Sequence, residues 1–196
     1  MKKFIYNTLL IFSIIISGYL VISFFVNQYT GIRNTYLAAI VDKHKRIQEI
    51  DSPKIILAGG SNLAFGINSK RLQDEFAVPV VNLGLHGGLG LEFIVNELKT
   101  SIKKGDVVIL SIEYFLSKKG SYNLKNLTKH FYPEASGFYS RQIIEDIIIH
   151  IDRTRKNLKS INKPKKVSAS RSVYSKKAFN KFGDVIAHLD KNPKKT

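Results

Sequence analysis

The hydrophobic and polar positions of this chain change pattern several times. From Phe4 to Val26 the run FIYNTLLIFSIIISGYLVISFFV holds no charged residue in 23 positions. As a helix rising ~1.5 Å per residue it is about 35 Å long, enough to cross a hydrocarbon core of ~30 Å. A cleaved signal peptide has a shorter apolar region and ends at a small-residue site. The bulky Phe24-Phe25-Val26 is a poor cleavage site, so the run predicts a signal anchor over residues 1–28. The next stretch, GIRNTYLAAIVDKHKRIQEI, places Ile32, Tyr36, Ala39, Ile40, Ile47 and Ile50 at approximate helical spacing. It predicts a helical stalk over residues 29–52.

From Pro53 the pattern shortens. KIILA (54–58), PVVNL (79–83) and DVVILS (106–111) are continuous, β-rich apolar runs, as expected of strands buried on both faces. Between them lie NSKRLQDEF (68–76) and LGLEFIVNELKTSIKK (89–104), the second with 3.6-residue periodicity through Leu91, Ile94, Val95, Leu98 and Ile102. Strands alternating with helices predict βαβ units and a parallel sheet, hence an α/β core over residues 53–161. Its last element is a helix within 137–161, rich in isoleucine. Residues 162–196 are polar, basic and without a strand pattern, which predicts a poorly structured tail.

Charge sharpens this division. The net charge of +16 is distributed as 6 basic and 2 acidic groups in residues 1–50, 6 and 7 in 51–117, and 19 and 6 in 118–196. A near-neutral middle suits a globular core. The basic excess behind it is a solvated surface or one that attracts anionic polymer or lipid headgroups through a salt-sensitive field. Lys2 and Lys3 ahead of the apolar run predict a cytoplasmic N-terminus and an extracytoplasmic bulk, single-pass in the cell membrane. On that side of a membrane nucleic acid is not an expected partner. The lipid bilayer is, through residues 4–26. The chain has no cysteine, which excludes intrachain disulfides and cysteine nucleophiles or ligands.

In an open parallel sheet, ligands bind beyond the carboxyl ends of the strands. The three predicted strands end in Gly59-Gly60-Ser61-Asn62, in Asn82-Leu83-Gly84-Leu85-His86-Gly87-Gly88, and in Ser111-Ile112-Glu113-Tyr114. A parallel arrangement brings these tips to one edge. Ser61 is either the N-cap of a following helix or a nucleophile displayed at a bend. Asn62 serves the turn or contacts a substrate, and Glu113 is a surface acid or a polar group at the floor of a site. His86, on the second tip, is a structural or substrate-contacting residue, or the base for Ser61. His44, His130 and His150 are scattered, with no metal-ligand spacing, so no metal is expected. The glycines of GLHGGLG do not form a G-x-G-x-x-G turn after the first strand, so no dinucleotide or other cofactor is expected.

These blocks resemble those of the SGNH (GDSL-type) hydrolases. LAGGSNLAFGI is similar to the block that carries the family's nucleophilic serine, here Ser61. VVNLGLHGG is similar to the block whose glycine supplies an oxyanion-hole amide, here Gly84. The resemblance covers about residues 53–115 and is fullest to membrane-anchored members of the bacterial cell envelope. It implies a three-layer, flavodoxin-like α/β sandwich, no cofactor, and relatives that hydrolyse or transfer acyl esters on glycans or lipids. Two family blocks lack counterparts. LSIEYF stands where Gly-x-Asn-Asp is usual, and Asp-x-x-His is missing. GDVIAHLD offers only Asp184 and His188 at four-residue spacing, with Asp190 beyond. The expectation is therefore an incomplete catalytic set in a chain that ends early relative to the family domain. A rival from another class is a non-catalytic anchored protein that binds anionic envelope polymer through its basic C-terminal region.

Overall fold

The structure, a computed structural model, describes residues 1–29, 35–114, 116–161 and 172–187. These fall into two compact units. One comprises Met1–Ile32 and Ile143–Lys166, the other Arg33–Gln142 and Val167–Thr196.

In the first unit, α1 (Lys2–Tyr29) is a single 28-residue helix. Its stretch Lys2–Val26 is long and apolar enough to cross a membrane, and only 11% of the most apolar window is buried. It packs with α7 (Ile143–Ser160). The expected division placed residues 53–161 in one core, but α7 groups with α1 instead. Its isoleucines at 143, 144, 147, 148 and 151 are exposed rather than packed on a sheet.

The second unit is a mixed α/β fold around β1 (Ile55–Gly59), β2 (Val80–Asn82) and β3 (Val107–Ser111), all parallel, in the order β2-β1-β3. The strands form where the apolar runs predict them. Register pairs Ile55 with Val80 and with Val107. At the start of the sheet, Lys54 and Asp106 form a fully buried ion pair of 3.0 Å that joins the entries of β1 and β3. Burial pushes the Asp106 carboxyl up, but hydrogen bonds from Ser52, Lys103 and Lys54 outweigh it and hold it below the usual range.

Alternation along β1 sends its side chains to two cores. Ile56 and Ala58 pack with Val81, Leu83, Ile47 from α2 (Ile40–Glu49), and Ile94 and Leu98 from α5 (Leu91–Ser101). Ile55 and Leu57 pack with Val80 and with Leu63 from α3 (Ser61–Gly66), and partly buried Leu72 of α4 (Ser69–Phe76) joins them. The Asn68 side chain caps α4 by accepting from Arg71 N–H at 3.0 Å. A third cluster gathers Leu85, Leu89, Phe93, Tyr36 and Phe138 with residues of α6 (Tyr122–Phe131) at its margin.

Three expectations need correction. Residues 35–50 are helical, through a 3₁₀ turn at Tyr36–Ala39 and then α2, but they are no stalk. Leu37, Ala38, Ala39, Ile40 and Ile47 are buried, and Lys43 and His44 are buried with them. His44 Nε2 meets Glu97 Oε1 at 2.8 Å and its ring stacks on Tyr132. Secondly, residues 172–187, expected to be poorly structured, pack closely. Val185 N–H donates to Ala64 O at 2.7 Å, Asn82 N–H to Phe182 O at 2.9 Å, and Ala178, Phe182 and Val185 are buried. Finally, β3 is not buried on both faces. Val107, Ile109 and Leu110 are exposed, and among the described residues no strand pairs with its outer edge.

Candidate functional site

With β1 central, the chain moves to β2 on one side and then crosses to β3 on the other. Strand order reverses between β1 and β3, where open α/β sheets place their ligands. The tips of all three strands meet there. Gly60 precedes α3 in an extended conformation and Ser61 opens the helix, half-buried, its hydroxyl without a hydrogen-bond partner among the described residues. Asn62 is exposed, and its side-chain amide donates to Ser111 Oγ at 2.6 Å, joining the tips of β1 and β3. Asn62 therefore holds the two loops together.

Glu113 sits between the first two tips. A Cβ on Gly60 would lie 2.7 Å from Glu113 Oε1, and one on Gly87 would lie 2.6 Å from Oε2. The two glycines make room for the carboxylate, which is half-buried and receives a long contact of 3.4 Å from Asn62 N–H. Glu113 packs against the loops after β1 and β2 here and does not line the cavity that holds Ser61 and His86.

Ser61 and His86 line one cavity of about 550 Å³, with Thr35, Tyr36, Leu37, Phe65 and Tyr174. Tyr36 stacks on Phe65 at 6.0 Å between ring centres and donates its hydroxyl to Leu85 O at 2.6 Å. Burial, with nearby Tyr174, raises the Tyr36 phenol well above its ordinary value, so it stays a neutral donor. Thr35 Oγ1 is buried and lacks a hydrogen-bond partner among the described residues. The cavity therefore has aromatic walls, and Ser61 Oγ and the outer nitrogen of His86 are polar groups it can offer, whereas Thr35 Oγ1 is shut off from solvent. Sequence reasoning missed Thr35, Tyr36, Phe65 and Tyr174. No local signal joins residues 35 and 174, because only the fold brings them to Ser61.

The chemistry of His86 is constrained. Its Nδ1 accepts from Gly88 N–H at 2.9 Å, so the neutral ring carries its proton on Nε2. In that state the outer nitrogen donates. It can polarise a carbonyl but cannot take a proton from Ser61 unless the Gly88 bond breaks. Gly84 is constrained too. Its N–H donates to Asn82 Oδ1 at 2.9 Å, and a Cβ there would lie 2.6 Å from Leu63 Cβ. Gly84 is a neighbour of the Ser61 loop, as the resemblance implies, but its amide is engaged and it packs beneath α3 rather than lining the cavity.

Asp184 belongs to a separate cluster. It accepts from Ser69 N–H at 2.9 Å, Ser69 Oγ at 2.5 Å and Asn82 Nδ2 at 2.9 Å. Lys43 Nζ donates to Asn82 O at 2.8 Å and Gly183 O at 2.6 Å alongside. Burial pulls the Lys43 ammonium down to about 7, against partial support from Asp184 and Glu97. This carboxylate anchors the C-terminal segment to β2 and α4 and does not line the Ser61 cavity. His188 and Asp190 lie outside the described residues. No family model, no curated protein and no solved structure matches this chain.

Proposed function

We propose that this chain is a membrane-anchored, extracytoplasmic SGNH-like protein, related to serine ester hydrolases and acyltransferases. Its α1 crosses the bilayer with the N-terminus inside, and the Ser61 cavity takes the acyl ester end of a glycan or lipid. One observation carries this reading. The parallel β1 and β2 bring Ser61, with an unengaged hydroxyl, and the His86 loop onto a single aromatic-walled cavity at the carboxyl edge of the sheet. Ser61 Oγ would attack the ester carbonyl, and His86 Nε2–H would donate to the oxygen that gains charge. Preorganised donors at such an oxygen are each worth about 3–4 kcal/mol of barrier. The proton of Ser61 needs an acceptor, and His86 becomes one only on releasing Gly88. Capture of an electrophile by Ser61 should therefore be slow.

A fluorophosphonate probe tests this on the full chain in detergent. Capture forms a phosphorus–oxygen bond at Ser61 and expels fluoride. Slow covalent labelling that is lost in Ser61→Ala supports the reading, and no labelling over hours overturns it. The engaged Gly84 amide favours a second reading, an anchored protein that binds anionic envelope polymer through its basic C-terminal region without catalysis. Salt-sensitive polymer binding, unchanged in Ser61→Ala and accompanied by no labelling, would select it.

A further inference from the structure

The isoleucine stripe of α7 has no role in the Ser61 cavity. Ile143, Ile144, Ile147, Ile148 and Ile151 are each at least half exposed, at 70, 75, 55, 55 and 50%. At 100° per residue they fall within one sector of the helix. The flank beside that sector is polar and faces α1. His150 Nε2 lies 3.1 Å from Ser23 Oγ, and its ring sits edge-on to Tyr19 at 6.1 Å. Asp152, Lys156 and Lys159 occupy the third side, exposed. A helix with one face on a neighbour and one in water ordinarily leaves no apolar face over. Here five isoleucines are left over.

The position of α7 along α1 identifies what covers them. Ser23 and Tyr19 lie three and seven residues inside the end of the apolar stretch at Val26. At ~1.5 Å per residue, those contacts are about 4.5 and 10 Å inside the apolar boundary. Amphipathic helices at membrane surfaces bury their apolar faces about 5–10 Å into the region where headgroups meet acyl chains. Resting on the reading that α1 spans the bilayer, we propose that α7 is an interfacial helix whose isoleucine stripe inserts among lipid acyl chains beside α1. The occupant of the stripe is lipid, not a second copy of the chain. Charge agrees with this. Arg155 and Lys159 lie exposed in the second half of α7, where anionic headgroups would attract them. This unit is then held by two contacts, one across the membrane and one along its surface.

The lack of native cysteine makes the test direct. Single cysteines at Ile144→Cys, Ile148→Cys and Ile151→Cys, at Asp152→Cys and Lys156→Cys on the charged side, and at Ile15→Cys within α1 are labelled with an environment-sensitive fluorophore. The full chain is reconstituted in phosphatidylethanolamine–phosphatidylglycerol bilayers and quenched by doxyl-labelled lipid or by aqueous iodide. The expected result is doxyl quenching several-fold stronger at 144, 148 and 151 than at 152 and 156, with iodide in the reverse order. Lipid contact at 15 combined with iodide access along the stripe overturns this inference alone. Protection of the stripe from both quenchers also overturns it, because a protein surface then covers the helix. Iodide access at 15 overturns the anchor itself and the inference with it.

Discussion

Two polar clusters flank the end of β2, and they differ in what they leave unanswered. Around Asp184, Asn82, Lys43 and Ser69 every polar group described has a partner, and the groups are buried. Around Ser61 the cavity keeps that residue's hydroxyl without a partner among the described residues and an imidazole engaged on one side only. Satisfied, buried networks fix a structure, because removing one member strands the others in a low dielectric. Unanswered groups at an open cavity add little to stability and are free to meet a ligand. The first cluster therefore serves the fold and the second serves chemistry, although Asn82 and His86 lie only four residues apart at the end of β2 and in the loop that follows.

The strongest way to break this contrast is Asp184→Ala. It strands the Ser69 and Asn82 donors and leaves Lys43 without its nearest carboxylate, so urea unfolding of the detergent-solubilised chain should show a loss of about 3–5 kcal/mol. A loss below ~1 kcal/mol would mean that the network is ornamental. Gly183→Ala should approach the same magnitude. Its φ of +98° disfavours a side chain, and a Cβ would lie 2.2 Å from the Asn82 carbonyl oxygen, a backbone atom that cannot turn aside.

Lys43 gives the cluster a pH signature. Its folded value, about 7, is below its ordinary 10.5, so between those values the unfolded chain binds the extra proton. Stability should therefore rise with pH from about 7 upward, at no more than about 1.4 kcal/mol per unit. Below about 7 the ammonium is buried at its full cost. Lys43→Met should abolish the slope between pH 7 and 9 in urea titrations, and a slope that persists would assign it elsewhere.

The Ser61 side should respond weakly. Gly87→Ala collides only with the far end of Glu113, which can rotate away, so its stability cost should be within about 1 kcal/mol, vanishing in a Glu113→Ala background. Ser61→Ala should change stability by less than ~0.5 kcal/mol while abolishing phosphonate capture. If it destabilised the chain as much as Asp184→Ala, Ser61 would be a structural cap and the contrast would fail.

The same contrast explains what the sequence made legible. Continuous apolar runs announced all three strands, and glycines after the first two announced the bends. The packing of residues 35–50 was hidden because the buried face of α2 includes Lys43 and His44, which hydropathy reads as solvent-facing. The 172–187 segment showed no strand pattern because scattered contacts dock it: Ala178, Phe182 and Val185 are buried, Val185 N–H donates to Ala64 O, and Asp184 accepts from Ser69 and Asn82. The engagement of Gly84 did leave a signal. Asparagine two residues before a glycine often bonds that residue's backbone, and Asn82-Leu83-Gly84 has this spacing. Burial of β3 was overestimated because an apolar run cannot say whether one face or two will find a neighbour.

That bare strand bears on how the protein behaves in a tube. Among the described residues, Val107, Ile109 and Leu110 present an aliphatic ribbon beside an open ladder of amides and carbonyls, with no proline or lysine among residues 107–111 to discourage a visitor. Trimming away the greasy N-terminus would thus not yield a well-behaved monomer. The shortened protein would still stack rim to rim, and Ile109→Lys would be the change that keeps it dispersed.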